Sequence, residues 1–403
     1  MFHSNQFQNK HVLVGITGGI AAYKSAELVR YLVTQGADVR VIMSRAAEKF
    51  ISALTMETLS QNPVATELFS EKGFTGTHHI HLADWADVAI IAPASYNFFG
   101  KLYAGIADDL ITTIFAAVHC PTVLAPAMNV HMWNNAVMQR NLKELQAMGY
   151  LICPPEEGFL AEGYSGKGRL APLHHLIQYL YNAMHNAPQS LKGKKVLVTA
   201  GRNEEPLDPV RILSNRSSGK MGFTLAWEAF ARGAEVTLIH GPTHLPLPVN
   251  IDCVYAPTAD HMFKEIKKRF KDADIYVSAA AISDYRPAYF SKGKIKKQGE
   301  SISLVLEPTE DILKYVGSHC EKTQQLIGFA VETEDAEKHA RSKLKSKNLD
   351  MIVLNNPLQK GAGFDIDTNQ VILFHKNGKS EKLSILPKLD TAFHIFQFLL
   401  KHR

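Results

Sequence analysis

Short runs of apolar, often β-branched residues alternate along this chain with longer stretches whose apolar residues recur every three or four positions. Val12 to Ile16 is one such run, and it meets a glycine pair, Gly18 and Gly19. The stretch that follows places Ala22, Ala26, Val29, Leu32 and Val33 on one helical face. Gly36 ends that helix, and Val39 to Ile42 reads as the next strand. Together these predict a strand–helix–strand unit. The plan recurs over residues 194–241, with a longer polar loop between strand and helix. Gly36-Ala37-Asp38-Val39 is echoed there by Gly233-Ala234-Glu235-Val236. Further strands are expected at Val88 to Ala92, Thr122 to Ala125 and Tyr150 to Cys153, then at Ile275 to Ala279, Leu326 to Ala330 and Met351 to Leu354. Alternation of this kind implies mostly parallel sheets covered by helices, hence an α/β chain of two Rossmann-like domains. A length of 403 residues also exceeds what one core usually serves. The stretch NAPQSLKGKK, residues 186–195, holds Pro, Ser and Gly, so the boundary is placed between domains 1–190 and 191–403.

Composition narrows the function classes. Hydrophobic content of 46% and charged content of 21% exclude a disordered or collagen-like chain. A net charge of +5 gives no argument for nucleic acid. The basic clusters Lys192–Lys195, Lys292–Lys297 and Lys343–Lys347 read first as solvated faces. The N-terminus lacks a signal-peptide apolar core, and no run of 18 apolar residues exists to span a membrane. Cys120, Cys153, Cys253 and Cys320 form neither a CxxC pair nor a disulfide framework, which suggests reduced thiols and a cytoplasmic location.

Candidate chemistry gathers at predicted strand ends, where open α/β sheets bind ligands. The turn Gly15-Ile16-Thr17-Gly18-Gly19-Ile20 does not keep the GxGxxG spacing, although a helix N-terminus there suits a phosphate. A nicotinamide enzyme wants an acidic residue after the second strand. Ser44-Arg45 stands there instead, a hydroxyl and a cation that suit a mononucleotide phosphate. His78, His79 and His81 invite a metal reading, but no second ligand group stands at a metal-like spacing; a general-base or electrostatic role for one of them is preferred. Ser95 and Asn97 follow a strand and lead to Lys101, Asp108 and Asp109. Pro126-Ala127-Met128-Asn129 follows another, with Asn129 suited to a carboxylate.

In the second half, Ser214-Asn215 leads into Ser217-Ser218-Gly219-Lys220 at a helix start. That segment is not a Walker A loop, yet it offers N–H groups, hydroxyls and a cation to a phosphate; an ordinary N-cap is the plainer alternative. Ala279-Ala280-Ala281 and Asp284 follow a strand, and Lys292, Lys294, Lys296 and Lys297 lie in a Gly-bearing stretch that reads as a lid over phosphates. Glu310-Asp311-Ile312-Leu313 opens a helix, Phe329 ends a strand, and Lys343 and Lys347 share one helix face.

The first half resembles the flavoproteins that decarboxylate cysteine residues, through GITGGIAAYKS, HIxLxxWAD, PASxN and PAMNxxMW in that order. The resemblance implies a flavodoxin-like fold and FMN near Gly18, Ser44 and Ser95. It implies His79 as the catalytic histidine and Asn129 on the substrate carboxylate. One position departs. The segment from Gly158 to Arg169 reads as a glycine-bearing flap, and Glu162 stands where the family carries Cys, the expected final proton donor. Glu162 is expected to take over that role if its pKa is raised, with Tyr164 assisting.

The second half is similar to phosphopantothenate–cysteine ligases, through LDPVRxxSNxSSGKMG, AAxxDY, KIKK and KNLD. The resemblance implies Mg²⁺-dependent activation of phosphopantothenate by CTP through an acyl-cytidylate. It places Asn215 on the substrate carboxylate and Lys294 as the lid lysine. Ala279 to Ala281, Asp284, Lys294, Glu310 to Leu313, Phe329, Lys343 and Lys347 would line the CTP site; Glu310 replaces the usual Pro. The two resemblances together imply a bifunctional enzyme of coenzyme A biosynthesis, working on phosphopantothenate, cysteine and CTP. They also imply a homo-oligomer with trimeric decarboxylase contacts, where FMN sits, and dimeric ligase contacts. The alternatives are a nicotinamide-dependent oxidoreductase and a regulatory decarboxylase-like binding protein.

Overall fold

The structure is a computed structural model that describes residues 4–68, 78–184, 189–296, 302–331, 335–355 and 366–403. Lys297, and residues 186–188 of the expected junction, lie outside the described residues. The chain divides into two compact units, one over Asn5–Asn186 and one over Ala187–Arg403, so the break falls inside the stretch the composition singled out. Ser4 belongs with the second unit, where its hydroxyl donates to Asp390 at 2.6 Å.

The first unit carries five parallel strands, β1 His11–Ile16, β2 Asp38–Met43, β3 Val88–Ala94, β4 Thr122–Pro126 and β5 Leu151–Ile152, in the order β2-β1-β3-β4-β5. This is the flavodoxin-like order, with its switch point between β1 and β3. An antiparallel hairpin, β6 Glu156–Phe159 and β7 Ser165–Arg169, follows β5. Helices α1 Ser25–Thr34, α2 Ala53–Ser60, α3 His78–Trp85, α4 Tyr96–Ala104, α5 Leu110–Ala117, α6 Val130–Trp133, α7 Ala136–Ala147 and α8 Leu173–Met184 complete it. Every residue of β3 is buried, as a central parallel strand covered on both faces requires. Leu13, Ile91, Phe99, Phe115 and Leu124 form one core cluster with Ile114 and Leu145. Each such side chain contributes about 1.5–3 kcal/mol by leaving water.

The α1 face differs from the expected one. A 3₁₀ turn at Ile20–Lys24 intervenes after the glycine pair, and the buried residues of α1 are Ser25, Leu28, Val29, Tyr31 and Leu32. Ala26 and Val33 are only half-buried. Ala22, Val29 and Leu32 are buried as expected; the tighter winding of the 3₁₀ turn shifts the helical phase enough that Ser25 and Leu28 take the buried places expected for Ala26 and Val33.

The second unit holds an eight-stranded sheet in the order β12-β11-β8-β13-β16-β17-β19-β20. Its members are β8 Lys195–Ala200, β11 Glu235–His240, β12 Asp252–Tyr255, β13 Ile275–Ser278, β16 Gln325–Val331 and β17 Met351–Asn355, all parallel, then β19 Val371–His375, antiparallel to β17, and β20 Ser380–Lys382, antiparallel to β19. Three small antiparallel pairs decorate it: β9 Glu204–Pro206 with β10 Ile212–Ser214, β14 Tyr285–Pro287 with β15 Leu306–Pro308, and β18 Thr368–Asn369 with β21 Leu386–Pro387. Helices α9 Lys220–Ala231, α10 Ala259–Arg269, α11 Ile312–His319, α12 Ala336–Ser346 and α13 Lys388–Lys401 pack on it. Among the described residues, no helix is long and apolar enough to cross a membrane.

Candidate functional sites of the two units

In the first unit the loops after β1, β2 and β3 meet at the switch point. Thr17, buried at 4% exposure, ties two of them: its hydroxyl donates to the Pro93 carbonyl at 2.7 Å and accepts from the Ser95 amide at 2.8 Å. Ser95 then caps α4, its side chain accepting from the Phe98 amide. Ser44 closes β2, and its hydroxyl accepts from the Ala47 amide. These loops wall a cavity of about 750 Å³ that includes Thr17, Gly18, Ser44, Arg45, Ser95 and Lys101. That volume lies within the range of cofactor sites. A Cβ at Gly18 would overlap the Ala46 methyl group and crowd its backbone, so the loops after β1 and β2 approach this closely only with glycine here. Lys101 donates to Asp108 at 2.6 Å and to Asp109 at 2.8 Å, and the two carboxylates push its pKa up. Asp109 also caps α5 in a capping box with Thr112, an arrangement worth about 1 kcal/mol.

A second cavity of about 560 Å³ shares Gly18, Ser95, Tyr96 and Met132 with the first. Its other walls include Lys24, Asn129, Glu162 and Arg169. The flap read from the sequence is the β6–β7 hairpin, with Leu160 to Tyr164 at its tip. Its base is seated on the loop after β4: the Met128 amide donates to the Gly168 carbonyl at 2.9 Å. A Cβ on Gly168 would run into the Met128 carbonyl oxygen, so this close approach demands glycine. At the tip, the Asn129 amide donates to Glu162 at 2.9 Å and to the Tyr164 hydroxyl at 2.6 Å. Asn129 also caps α6 by accepting from the His131 amide. Glu162 is exposed, and the Asn129 hydrogen bond, with a bond from its own backbone N–H, holds its carboxyl below the usual range. The burial that would raise it is not present in this flap position.

The three histidines separate. His78 lines a small cavity of about 200 Å³ with Arg40 and Asn62, and burial, then the Arg40 charge, lowers its pKa. His79 is half-buried near the start of α3 and walls neither of the two large cavities. His81 is exposed. Among the described residues, no group of three or more His, Cys, Asp or Glu gathers as a metal site would.

In the second unit the expected residues converge along the carboxyl ends of β8, β13 and β16. Asn215 donates to the Ala281 carbonyl at 3.1 Å, and the Ala281 amide donates to the Gly201 carbonyl at 2.8 Å. The Ala279 amide donates to the Thr199 carbonyl, and the Thr309 amide to the Asp284 carbonyl. Asp311 caps α11 through the Lys314 amide and is ion-paired with Lys347. Partial burial pushes the Asp311 carboxyl up, but the bonds from Lys347 and Lys314 outweigh it and the net direction is down. Lys343 reaches the Phe329 carbonyl at 3.4 Å. Glu310 and Lys294 are exposed and Leu313 is half-buried, whereas Ile312 is 3% exposed and belongs to the core, so only its backbone can face a ligand.

The Lys220 expectation is changed. Its ammonium pairs with Asp367 at 2.9 Å, while the α9 N-cap is Gly219 with no side-chain cap bond. The helix therefore begins with its N–H groups uncapped by a side chain, but its lysine already has a carboxylate.

Sequence reasoning gave no role to Asn203, or to Asp208 and Arg211 within the LDPVR motif. Asp208 is buried, and its carboxylate accepts from the amides of Val210, Arg211 and Ile295. The Ile295 bond is the largest cause of its lowered pKa, against the opposing effect of burial. Arg211 donates to the Ile295 carbonyl at 2.7 Å, so both backbone groups of the residue after Lys294 are held. The spacing DPVR carries a weak local signal for this turn, since Asp readily accepts from amides two and three residues on. Nothing in the sequence marks Ile295 as its partner.

The family model described as Flavoprotein matches residues 2–185, and the one described as DNA/pantothenate metabolism flavoprotein C-terminal domain matches residues 191–402. The coenzyme A biosynthesis bifunctional protein CoaBC of Bacillus subtilis (strain 168) is 43% identical over 393 residues, 96% of each chain. Its counterpart in Vibrio cholerae serotype O1 is 43% identical over 372 residues, 92% of this chain and 93% of that one. A crystal structure of the C-terminal domain of a coenzyme A biosynthesis bifunctional protein CoaBC aligns with 53% of this chain and 97% of its own, at 36% identity and a TM-score of 0.45. With both halves matched and relatives aligned over nearly the whole length, the chain belongs to the family of bifunctional coenzyme A biosynthesis proteins.

Proposed function

We propose that residues 191–403 join 4'-phosphopantothenate to cysteine with CTP, and that residues 1–190 decarboxylate the product to 4'-phosphopantetheine with FMN. Family membership makes the chain a bifunctional enzyme of coenzyme A biosynthesis, with decarboxylase and ligase activities. A nicotinamide reading finds no acidic residue after β2, where Ser44 and Arg45 stand, and a purely regulatory role does not fit a family of bifunctional enzymes.

One observation carries the decarboxylase assignment: Gly18, Ser95, Tyr96 and Met132 wall both large cavities, so a cofactor space and a substrate space adjoin. Gly18, Ser44 and Ser95 would hold FMN in the larger one. Bound there, FMN would supply the two-electron chemistry, drawing electrons from the cysteinyl thiol before carbon dioxide leaves and returning them afterwards. The chain's own tasks are orientation and proton transfer. Asn129 presents its amide to the substrate carboxylate in the smaller cavity. Glu162 gives the last proton after the flap closes, with Tyr164 beside it. His79 serves from outside both cavities of its own chain, which supports a trimer in which a neighbouring copy supplies it.

For the ligase, a carboxylate is a poor acyl donor until its oxygen is made a good leaving group. Asn215 holds the carboxylate and the acyl-cytidylate, and Lys294 steadies the phosphates as their charge develops. Ala279 to Ala281, Asp284, Glu310 to Leu313, Phe329, Lys343 and Lys347 surround the nucleotide, and Mg²⁺ accompanies its phosphates. The exposed apolar residues Tyr285, Ile302, Val305 and Leu306, on and beside the β14–β15 pair, support a dimeric contact for this unit. Incubation with phosphopantothenate, cysteine, CTP and Mg²⁺, followed by mass spectrometry, tests the whole reading. Saturated phosphopantetheine is expected; recovery of unreacted phosphopantothenate would overturn the ligase, and accumulation of the cysteine adduct the decarboxylase.

A further inference from the structure

Asn203 lies between β8 and β9 with 0% exposure, and each of its polar groups with a partner reaches a different part of the ligase site. Its side-chain oxygen accepts from the Ser283 amide at 2.8 Å, one residue before Asp284. Its backbone carbonyl accepts from the Ser214 hydroxyl at 2.7 Å, one residue before Asn215. Its side-chain amide donates to Glu205, a carboxylate at 4% exposure that also accepts from the Ala259 amide at 2.8 Å. Ala259 is the first residue of α10, so the pair is anchored on a helix N-terminus. The two loops that Asn203 holds also touch each other, through the Asn215 bond to the Ala281 carbonyl.

We propose that Asn203 is a positioning residue for the ligase reaction, fixing Asn215 and the Ala281–Asp284 loop in one register through a buried amide–carboxylate pair with Glu205. This rests on the ligase reading above and extends it to a residue that touches no substrate. The pair is directional. An amide offers one acceptor to Ser283 and one donor to Glu205, a division that neither a carboxylate nor an apolar group can reproduce. A buried carboxylate at Glu205 without that donor would carry an uncompensated charge. Losing the pair lets the Asn215 strand and the Asp284 loop drift independently, and misplacement of about 1 Å costs roughly 100-fold in rate.

The test uses the full chain. Pyrophosphate release from CTP with phosphopantothenate and Mg²⁺ reads the ligase, and turnover of separately supplied phosphopantothenoylcysteine reads the decarboxylase in the same preparation. Asn203→Asp is expected to lower ligase kcat by roughly 100-fold, with a smaller change in KM for CTP, while decarboxylase turnover stays at the wild-type level. The double variant Asn203→Asp with Glu205→Gln exchanges donor and acceptor. Asp at 203 then accepts from both Ser283 and the new amide; because one Glu205 oxygen accepts from both Asn203 and Ala259, the Gln nitrogen that takes its place gives up the Ala259 bond, so the rescue is partial. Ligase kcat is expected to return to within roughly tenfold of wild type, a rescue that general loosening of the fold would not give. Should Asn203→Asp unfold the second unit, as seen by circular dichroism, Asn203→Ala is read in its place. Wild-type ligase kcat in the single variant, or a folded double variant that stays as slow as the single, overturns the proposal. Absence of pyrophosphate release from the wild-type chain points instead to failure of the ligase reading itself.

Discussion

Asn129 and Glu162 are joined amide to carboxylate at 2.9 Å, across the gap between the loop after β4 and the tip of the flap. The amide proposed to receive the substrate carboxylate is thus occupied by a carboxylate of the chain itself. In this state Glu162 is held as the carboxylate and carries no proton to give, because the Asn129 bond lowers its pKa. That tie is fully present above the ordinary Glu range, near 4.3, and is lost as pH falls through the lowered value. A substrate carboxylate that takes the amide removes the bond and brings a like charge close, and both changes raise the Glu162 pKa. The donor role is therefore expected only in the loaded site.

Glu162→Gln should separate the two stages of the reaction. Carbon dioxide release is expected to continue, since Asn129 is unchanged and a neutral Gln oxygen competes less with the substrate carboxylate for its amide, while the released product changes from saturated phosphopantetheine to the ene-thiol. Mass spectrometry resolves the two by two hydrogen atoms. Saturated product at the wild-type rate would remove Glu162 from the mechanism.

Gly168→Ala should disable the flap without touching a proposed reacting group. The added Cβ meets the Met128 carbonyl oxygen, a backbone atom that cannot turn aside, so the β7 strand must lift from the Met128–Asn129 loop. Decarboxylase turnover is expected to fall by at least roughly 10-fold, with ligase turnover unchanged. Equal turnover of variant and wild type on phosphopantothenoylcysteine would show that the seat of the flap is immaterial.

What could be read from the sequence was local. The β1 and β2 runs, the stop at Gly36 and the helix opening at Glu310 to Leu313 each depend on neighbours within a few positions, and each stands where local pattern places it. The apolar runs put Asn129 and Ala281 after strands, and motif resemblance gave Asn129 and Asn215 their roles. Hidden from both were the ties across the fold. Thr17 meets Pro93 and Ser95, Asn203 meets Ser283, Asp208 meets Ile295, and Lys220 meets Asp367, pairs separated by 76 to 147 positions with no periodic trace. On the α1 face Ala26 and Val33 were misplaced for the opposite reason, a local 3₁₀ turn that breaks the period from which the face was projected, while Val29 and Leu32 stand on it.

Asp208 should control the lid rather than the nucleotide. Its carboxylate and the Arg211 guanidinium hold both backbone groups of Ile295, next to Lys294. Because the folded carboxyl sits below its ordinary value, the tether is fully present above about pH 4 and is lost as pH falls through the lowered pKa, so it holds at neutral pH. Asp208→Asn keeps the shape but leaves one acceptor oxygen in place of two, so the new amide nitrogen faces a backbone N–H, that of Ile295 or those of Val210 and Arg211. Tryptic cleavage after Lys292 and Lys294 is expected to accelerate, and ligase kcat to fall roughly 10- to 100-fold. Unchanged cleavage together with unchanged kcat would mean that the lid is held elsewhere.

Thr17→Val tests whether the switch-point loops form the flavin cradle. Valine matches threonine in shape, so the buried site stays filled, but the Ser95 amide loses its acceptor and the Pro93 carbonyl loses one of two donors. An unsatisfied buried group costs about 1–3 kcal/mol, and relief comes most readily by movement of the Ser95 loop, which walls both cavities. If FMN sits against Gly18 and Ser95, that movement weakens its binding by roughly 5- to 150-fold, the same free energy expressed as an equilibrium constant. The measurement is flavin fluorescence released on dilution of the purified chain. Thr17→Ser, which keeps the hydroxyl, should retain flavin nearly as the wild type does. Ligase turnover in the same samples should not change, because Thr17 belongs to the other unit. Full flavin retention by the valine variant would place the cofactor away from the β1–β3 switch point.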